Sequence, residues 1–507
     1  MLPAVRSAHR SGARALPAWL WLLLAGLVLI SAGLYNGFPL VTSDSGTYIN
    51  SALLYTVPDD RPVVYGLFIR ATGLRVTLWL VIMVQGLLLA DLLRRYAGLL
   101  APRVTANGVG QLALVGLVAW GTGVSWFCSQ IMPDIFTAIG LLALGLVLLG
   151  PDQRPAARAW LVAVLVLSGS MHSSNLLTFS LVALFVGVVG WRAQLFRRGL
   201  LSARRWRLAT AGALVGWLLL PGVHAALGGG FEISRASSAF LMARLCETGI
   251  LEKFLQKNCD PADRYSLCAY RDKLPNDAIS FMWDPNSPLY QTGGWNANRE
   301  EYQQIIRQIA TSPRYYPFFV MEAIQATLRQ LTHIGHGDGL TPYRENTNPY
   351  WKVQNFAGYE LKEYLSSMQN RGQLSFTALN ERVYACYALA LLALGALLGT
   401  PVRRRLGAPA VLTVLVLAAG VVANAFVTGS LANVLDRLQA RVAWVLPLAA
   451  VLLLAEHGPA LLRRWAGAWL GSGLAAKSAQ PSLVANFDRK AHPGGPLPEA
   501  PAGEGYL

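Results

Sequence analysis

Charge is what this chain has least of. Asp, Glu, Lys and Arg make up 14% of its 507 residues and apolar residues 54%, whereas soluble proteins carry about a quarter charged. With a positive mean hydropathy, that shortage excludes an ordinary soluble domain and points to a chain that threads a membrane repeatedly. Cysteine is scarce as well: five residues do not make a disulfide framework. No internal repeat is visible, and from 228 to 381 there is no apolar run of membrane length.

What charge there is leans positive, with a formal net of +16. The basic residues fall in short clusters between apolar runs, as in loops held at the cytoplasmic face of a membrane. That pattern argues for membrane lipids as a partner and against nucleic acid. Arg6, Arg10 and Arg14 precede the first apolar stretch much as in a signal peptide, but no small-x-small cleavage site follows, so the stretch reads as an uncleaved first span.

A bilayer crossing takes roughly 17 to 25 residues. Segments near 17–34, 74–92, 108–125, 135–150, 208–226, 382–399, 409–427 and 441–456 suit that length, some of them short. The stretch 159–191 is too long for one span and breaks at Ser170-Met171-His172-Ser173-Ser174-Asn175, so it divides into two helices with His172 in the turn. With that division the inner loops collect Arg94, Arg95, Arg103, Arg154, Arg158, Arg192, Arg197, Arg198, Arg204, Arg205, Arg207 and Arg403 to Arg405. The short outer loops hold only Arg61, Arg70, Arg75, Arg437 and Arg441. The bias toward positive inner loops is then obeyed throughout.

The expected fold is mainly α, a polytopic transmembrane helix bundle of about ten spans with both termini cytoplasmic. Residues 1–226 form an N-terminal membrane module, 227–381 a mainly helical periplasmic domain, and 382–457 the last three spans. Residues 458–507, rich in Ala, Pro and Gly, read as a largely disordered cytoplasmic tail. Within the outer domain, Ser234 to Gln256 has helical apolar spacing with a glycine interruption, and Asn298 to Leu331 reads as helical, bent at Pro313 and Pro317. Cys259 and Cys268 close a short loop containing Pro261 and are the candidate disulfide in an oxidising compartment. Cys128 and Cys386 suit packing at helix ends.

Chemistry concentrates in the outer loops. Asp44, in Val41-Thr42-Ser43-Asp44-Ser45-Gly46-Thr47-Tyr48, follows the first span; a carboxylate there can accept a proton from an acceptor hydroxyl or cap the next helix. Arg61, in Pro58-Asp59-Asp60-Arg61-Pro62-Val63-Val64-Tyr65, can offer a guanidinium to phosphate or pair within a surface turn. Asp134, in Met132-Pro133-Asp134, stands at a helix start suited to capping. Asp44 and Asp134 meeting across spans would be the candidate ligands of a divalent cation, Mg or Mn. His172 sits in the third outer turn. Arg437 and Arg441, four apart and so on one helix face, suit a phosphate near the lipid headgroups.

Asp44 with Tyr48, the Arg61-Pro62-Val63-Val64-Tyr65 segment, Met132-Pro133-Asp134 and the alternation of short loops over about residues 15–230 resemble the GT-C superfamily of polytopic glycosyltransferases, in a bacterial branch. Asp44 is followed by Ser45 and not, as in much of that superfamily, by a second acid. The resemblance implies transfer of a sugar from a polyprenyl-phosphate donor to an acceptor on the outer face of the bacterial inner membrane. In that scheme Asp44 is the base and Arg437 with Arg441 hold the leaving phosphate. Asp134 and His172 orient the acceptor or a cation, while Tyr48, Arg61 and Tyr65 border the donor groove. A transporter or flippase of lipid-linked substrates is the rival from another class, but it would place ionisable groups at mid-membrane. A non-catalytic envelope scaffold would need none of the outer acids.

Overall fold

Long runs of Leu, Ala and Val separated by Pro, Gly and short polar breaks fold, in a computed structural model, into an almost wholly helical chain. The structure describes residues 17–73, 76–105, 108–151, 154–260, 264–399 and 403–458. Arg6, Arg10, Arg14, Arg75, Pro261 and the expected disordered tail beyond Gly458 lie outside the described residues. Among those described there is no strand, only an isolated parallel bridge between Leu40 and Gln130.

Among the described residues five helices are long and apolar enough to cross a membrane: Ser173–Arg192, Ala203–Ala226, Thr377–Gly399, Leu406–Leu431 and Asp436–Gly458. Ala18–Leu29, Gly108–Thr122, Ile135–Leu149 and Pro155–Met171 are apolar but shorter. The polar break in 159–191 is a true helix boundary. Pro155–Met171 ends at His172, whose extended backbone (φ −146°, ψ 132°) starts Ser173–Arg192, and its ring nitrogen accepts the Ser174 N–H. The Ile135–Leu149 helix is buried along its whole length, so it forms the axis against which the other helices pack.

The segment 227–381 differs in detail from its expected form. Residues 239–315 share a core of their own, built on Met242, Leu251, Phe254, Phe281, Tyr302 and Ile305, and the Cys259–Cys268 disulfide, with Cα atoms 5.5 Å apart, closes one of its loops. Asn298 to Leu331 is not one bent helix. Pro313 opens a short 3-10 turn and Pro317 lies in the first turn of a separate helix, Tyr316–Thr332, because proline lacks the N–H that a helix interior needs but not the one its start leaves free. That helix packs along Leu406–Leu431, with the Ser430 hydroxyl on the Ala323 carbonyl (3.4 Å) and Gln330 exchanging hydrogen bonds with the Leu435 backbone (2.8 and 3.1 Å). Beyond it, Leu340 joins Ala32 and Leu40 in a shared core, with Leu374 and Phe376 packed against it.

Two helices carry the first-loop motifs, Ser45–Leu54 and Val64–Gly73. They cross so closely that a Cβ at Gly66 would lie 2.6 Å from the Ser51 Cβ and 3.0 Å from the Tyr48 carbonyl oxygen. Gly66→Ala is therefore expected to prise the two helices apart and destabilise the protein by ~1–3 kcal/mol, the usual cost of overpacking. Thermal unfolding in detergent measures it, and an unchanged midpoint would show that the helices yield freely at this contact.

Candidate functional site

The sequence-distant loops meet because backbone pairing joins them. Leu40 donates its N–H to the Ser129 carbonyl (2.9 Å) and accepts from Ile131 N–H (2.8 Å), and the Ser45 hydroxyl donates to the Ile131 carbonyl (2.9 Å). Gln85, buried in the Trp79–Leu100 helix, donates to the carbonyls of Cys128 and Gln130 (2.9 and 3.1 Å). These contacts fix the Asp44 loop beside the Asp134 loop.

Asp44 occupies the position before Ser45–Leu54, yet its side chain makes no capping hydrogen bond. Its Oδ1 faces Arg61 Nη1 at 3.0 Å and its Oδ2 faces Arg437 Nη2 at 2.9 Å. Burial alone would raise its pKa. The charges and hydrogen bonds of Arg437 and Arg61 outweigh that and hold the carboxyl at about 2, so Asp44 is ionised at any ordinary pH. Arg61 is held from its far side by Asp60, whose Oδ2 accepts from Nε at 2.9 Å, and it lies over the Tyr48 ring, 5.5 Å from the centroid. The chain around Arg61 is anchored in turn: His224 Nε2 accepts the Val63 N–H (3.2 Å) and the Asp59 carbonyl accepts from Ala236 N–H (2.9 Å) and the Ser234 hydroxyl (3.0 Å).

Asp134 likewise stands before its helix, Ile135–Leu149, without capping it. Its Oδ1 accepts from Arg441 Nη1 at 2.9 Å, and Arg441 Nη2 donates to the Ser174 hydroxyl (2.9 Å) and to Asn424 Oδ1 (3.1 Å). Arg441 is 0% exposed and Asp134 1%. The Ser174 hydroxyl also meets His172 Nδ1 at 2.8 Å. Since Nδ1 accepts from the Ser174 N–H, the imidazole proton is assigned to Nε2. Burial first, and the charge of Arg441 second, push His172 down to about 3, which keeps it neutral.

The structure thus brings the expected residues into two adjoining clusters. Arg61, Asp44 and Arg437 form the outer one, with guanidinium side chains 14% and 24% exposed. Asp134, Arg441, Ser174 and His172 form the inner one. Three expectations change. Arg441 cannot hold a substrate phosphate from a fully enclosed position; it neutralises Asp134. Tyr48 and Tyr65 do not border an open groove. Both are buried, packed edge to face with centroids 5.1 Å apart, with the Tyr65 hydroxyl donating to Gln85 Oε1 at 2.7 Å. They form the floor under Arg61. Nor do Asp44 and Asp134 suit a divalent cation: Asp44 presents both of its oxygens, and Asp134 one of its two, to arginine, and guanidinium charge at that range repels a metal ion. Among the described residues no group of three His, Cys, Asp or Glu converges.

Sequence reasoning did not find Asn424, His224 and Gln369, and placed Ser174 only beside His172 in its turn. Gln369 donates to the carbonyls of Val41 and Thr341 (2.6 and 3.0 Å) and accepts the Val41 N–H (3.1 Å), holding the backbone that leads to Asp44. A signal existed for Asn424, a lone amide in an apolar span, where a polar side chain needs a partner. Asp338 is a further residue missed; it lies within the electrostatic reach of Arg437, Asp436 and Asp134. No family model, curated protein or solved structure matches the chain.

Two outcomes follow from this geometry. Arg441→Met leaves Asp134 buried and unpaired and is expected to cost ~3–5 kcal/mol, while Arg441→Met with Asp134→Asn regains part of the loss because no lone charge remains; a double variant no more stable than the single would refute the pairing. For Asp44, the folded pKa lies below the 3.8 of an unperturbed carboxyl, so its stabilisation is complete above pH 3.8 and fades as pH falls toward about 2. A shift of that size corresponds to roughly 2 kcal/mol. Asp44→Asn should therefore lower stability by about that amount at neutral pH and flatten the acid limb of the melting profile.

Proposed function

We propose that the chain is a membrane glycosyltransferase of GT-C type that moves a sugar from a polyprenyl-phosphate donor to an acceptor at the outer face of the bacterial inner membrane. The observation that carries the reading is the sharing of Asp44 by Arg61 and Arg437. Two guanidinium groups from distant segments converge on one carboxylate, both partly open to solvent, at the end of an apolar bundle. An arriving phosphate exchanges that shared carboxylate for direct charge-assisted hydrogen bonds, which arginine makes in bidentate geometry.

Chemistry gives such a pair a role beyond binding. When the bond from the anomeric carbon to the donor phosphate breaks, the leaving oxygen takes the electron pair and the phosphate gains negative charge. Arginines fixed beforehand stabilise that charge more in the transition state than in the donor, which is the form of binding that accelerates a reaction. Asp44 keeps the two guanidinium groups in place while the donor is absent. Asp134, Arg441 and His172 hold the adjoining loops in register from beneath.

In this reading the bundle has ten spans and cytoplasmic termini, and 227–381 is periplasmic. The arginine-rich turns support that orientation. They cluster at the opposite end from the site, where Arg103 pairs with Glu456 (3.3 Å) and Arg205 donates to the Gly150 carbonyl (2.5 Å). The Cys259–Cys268 bridge supports it independently, because disulfides persist in oxidising compartments.

The test uses the purified full chain in lipid nanodiscs with a polyprenyl monophosphate as the probe. Wild type should bind it, and Arg437→Gln should weaken binding ~10- to 100-fold, the loss of a charge-assisted hydrogen bond of ~1.5–3 kcal/mol. Equal binding by wild type and Arg437→Gln would refute the phosphate site. With polyprenyl-phosphate monosaccharides, a transferase releases polyprenyl monophosphate, whereas a flippase returns the donor intact.

A further inference from the structure

The segment between the Tyr316–Thr332 helix and the Asn348–Ala357 helix carries glycine at alternate positions, Gly335, Gly337 and Gly339, around a single acid, Asp338. Gly337 and Gly339 have φ of +106° and +74°, a region side chains disfavour, and Leu340 N–H closes the turn onto the Gly337 carbonyl at 3.0 Å. Asp338 stands at the tip.

This turn is clamped on both sides to the two elements that carry the arginine cluster. Before it, Gly335 lies so near the last helix that a Cβ there would be 2.9 Å from Asp436 Oδ2, and His336 exchanges backbone hydrogen bonds with the Asn380 side chain (2.7 and 3.1 Å). After it, Gly339 abuts Thr42, a Cβ there lying 3.6 Å from the threonine methyl, and Gln369 ties Thr341 to Val41. A turn pinned at one end beside Asp436 and at the other beside Thr42 lies next to the two segments that bring Arg437 and Asp44 together. Its tip is a solvent-reached carboxylate at the rim of the site.

We infer that Asp338 is the catalytic base of the transfer, resting on the donor-phosphate reading above. The acceptor hydroxyl oxygen forms the new bond to the anomeric carbon and its proton passes to the Asp338 carboxylate. The bond to the donor phosphate breaks, and polyprenyl phosphate leaves with the electron pair. In the resting site both oxygens of Asp44 face arginine and its carboxyl is held at about 2, so it is the weaker proton acceptor of the two. Partial enclosure by the turn, which still leaves it open to water, holds the Asp338 carboxyl above the usual carboxylate range against the opposing pull of Arg437, so it takes up a proton more readily than Asp44 does. The charged groups whose fields reach it are Arg437 and Asp436 of the last helix and, from beneath, Asp134.

The experiment follows release of polyprenyl monophosphate from a panel of polyprenyl-phosphate glucose, mannose, galactose and arabinose by the purified full chain in nanodiscs, with glycerol and water as the hydroxyl acceptors that take the sugar. Binding of polyprenyl monophosphate and thermal unfolding are measured alongside. Asp338→Asn is expected to fold and to bind the lipid phosphate as wild type does, while release falls by ~10²–10⁴. The acid limb of the pH–rate profile should vanish with it, and Asp338→Glu should restore part of both. Release by Asp338→Asn within about twofold of wild type, with its acid limb intact, overturns the assignment of the base and leaves the phosphate site standing. Failure of wild type itself to bind polyprenyl monophosphate overturns the donor reading and the base with it.

Discussion

Arg61 and Arg437 divide the two oxygens of Asp44 between them, at 3.0 and 2.9 Å, and one end of the bundle is arranged around that contact. Nothing local in the chain could bring these residues together, since Arg437 and Asp44 are 393 positions apart. Removing two guanidinium groups and a carboxylate from bulk water is costly unless each finds a partner. The contact therefore holds only because the loops beneath it are already fixed by neutral hydrogen bonds: Leu40 with Ser129 and Ile131, Gln85 with Cys128 and Gln130, Gln369 with Val41. The uncharged scaffold sets the geometry, and the charges then lock into it.

Much of this was legible in the sequence. Hydrophobic run length gave the helices, and the polar Ser170 to Asn175 stretch marked a real boundary, because His172 supplies a capping acceptor that an apolar run lacks. Asp44, Arg61, Asp134 and Arg437 stood out since charge is rare in this chain and clustered in a few loops. Less was legible where the answer lay in three dimensions. Either aspartate could have capped its helix. Neither does, because an arginine from the last helix offers each oxygen it meets a stronger partner than a backbone N–H. Tyr48 and Tyr65 looked like groove residues from their neighbours in the chain, but Gln85 satisfies the Tyr65 hydroxyl from another helix and lets both rings bury. Asp338 carried no signal at all. A lone acid among glycines reads as a solvated turn until the packing of Gly335 on Asp436 and of Gly339 on Thr42 is known.

Arg437 and Arg441 show how far a shared helix face can mislead. Residues four apart on one face suggested one ligand for both. A helix rises 1.5 Å per residue, so the second side chain sits about 6 Å further along the axis, and the last helix enters the bundle instead of lying across its mouth. At the depth of Arg437 water still reaches a guanidinium and an incoming anion can compete for it. One turn further in, Arg441 is sealed by Asp134, Ser174 and Asn424, and no anion can reach it without opening the bundle. The same residue type thus performs two tasks set by depth alone: the inner arginine neutralises a buried carboxylate and fixes the helix ends, and the outer one is left where charge can be exchanged. A site built this way keeps its exchangeable charge at the rim because the layer beneath is already electrostatically closed.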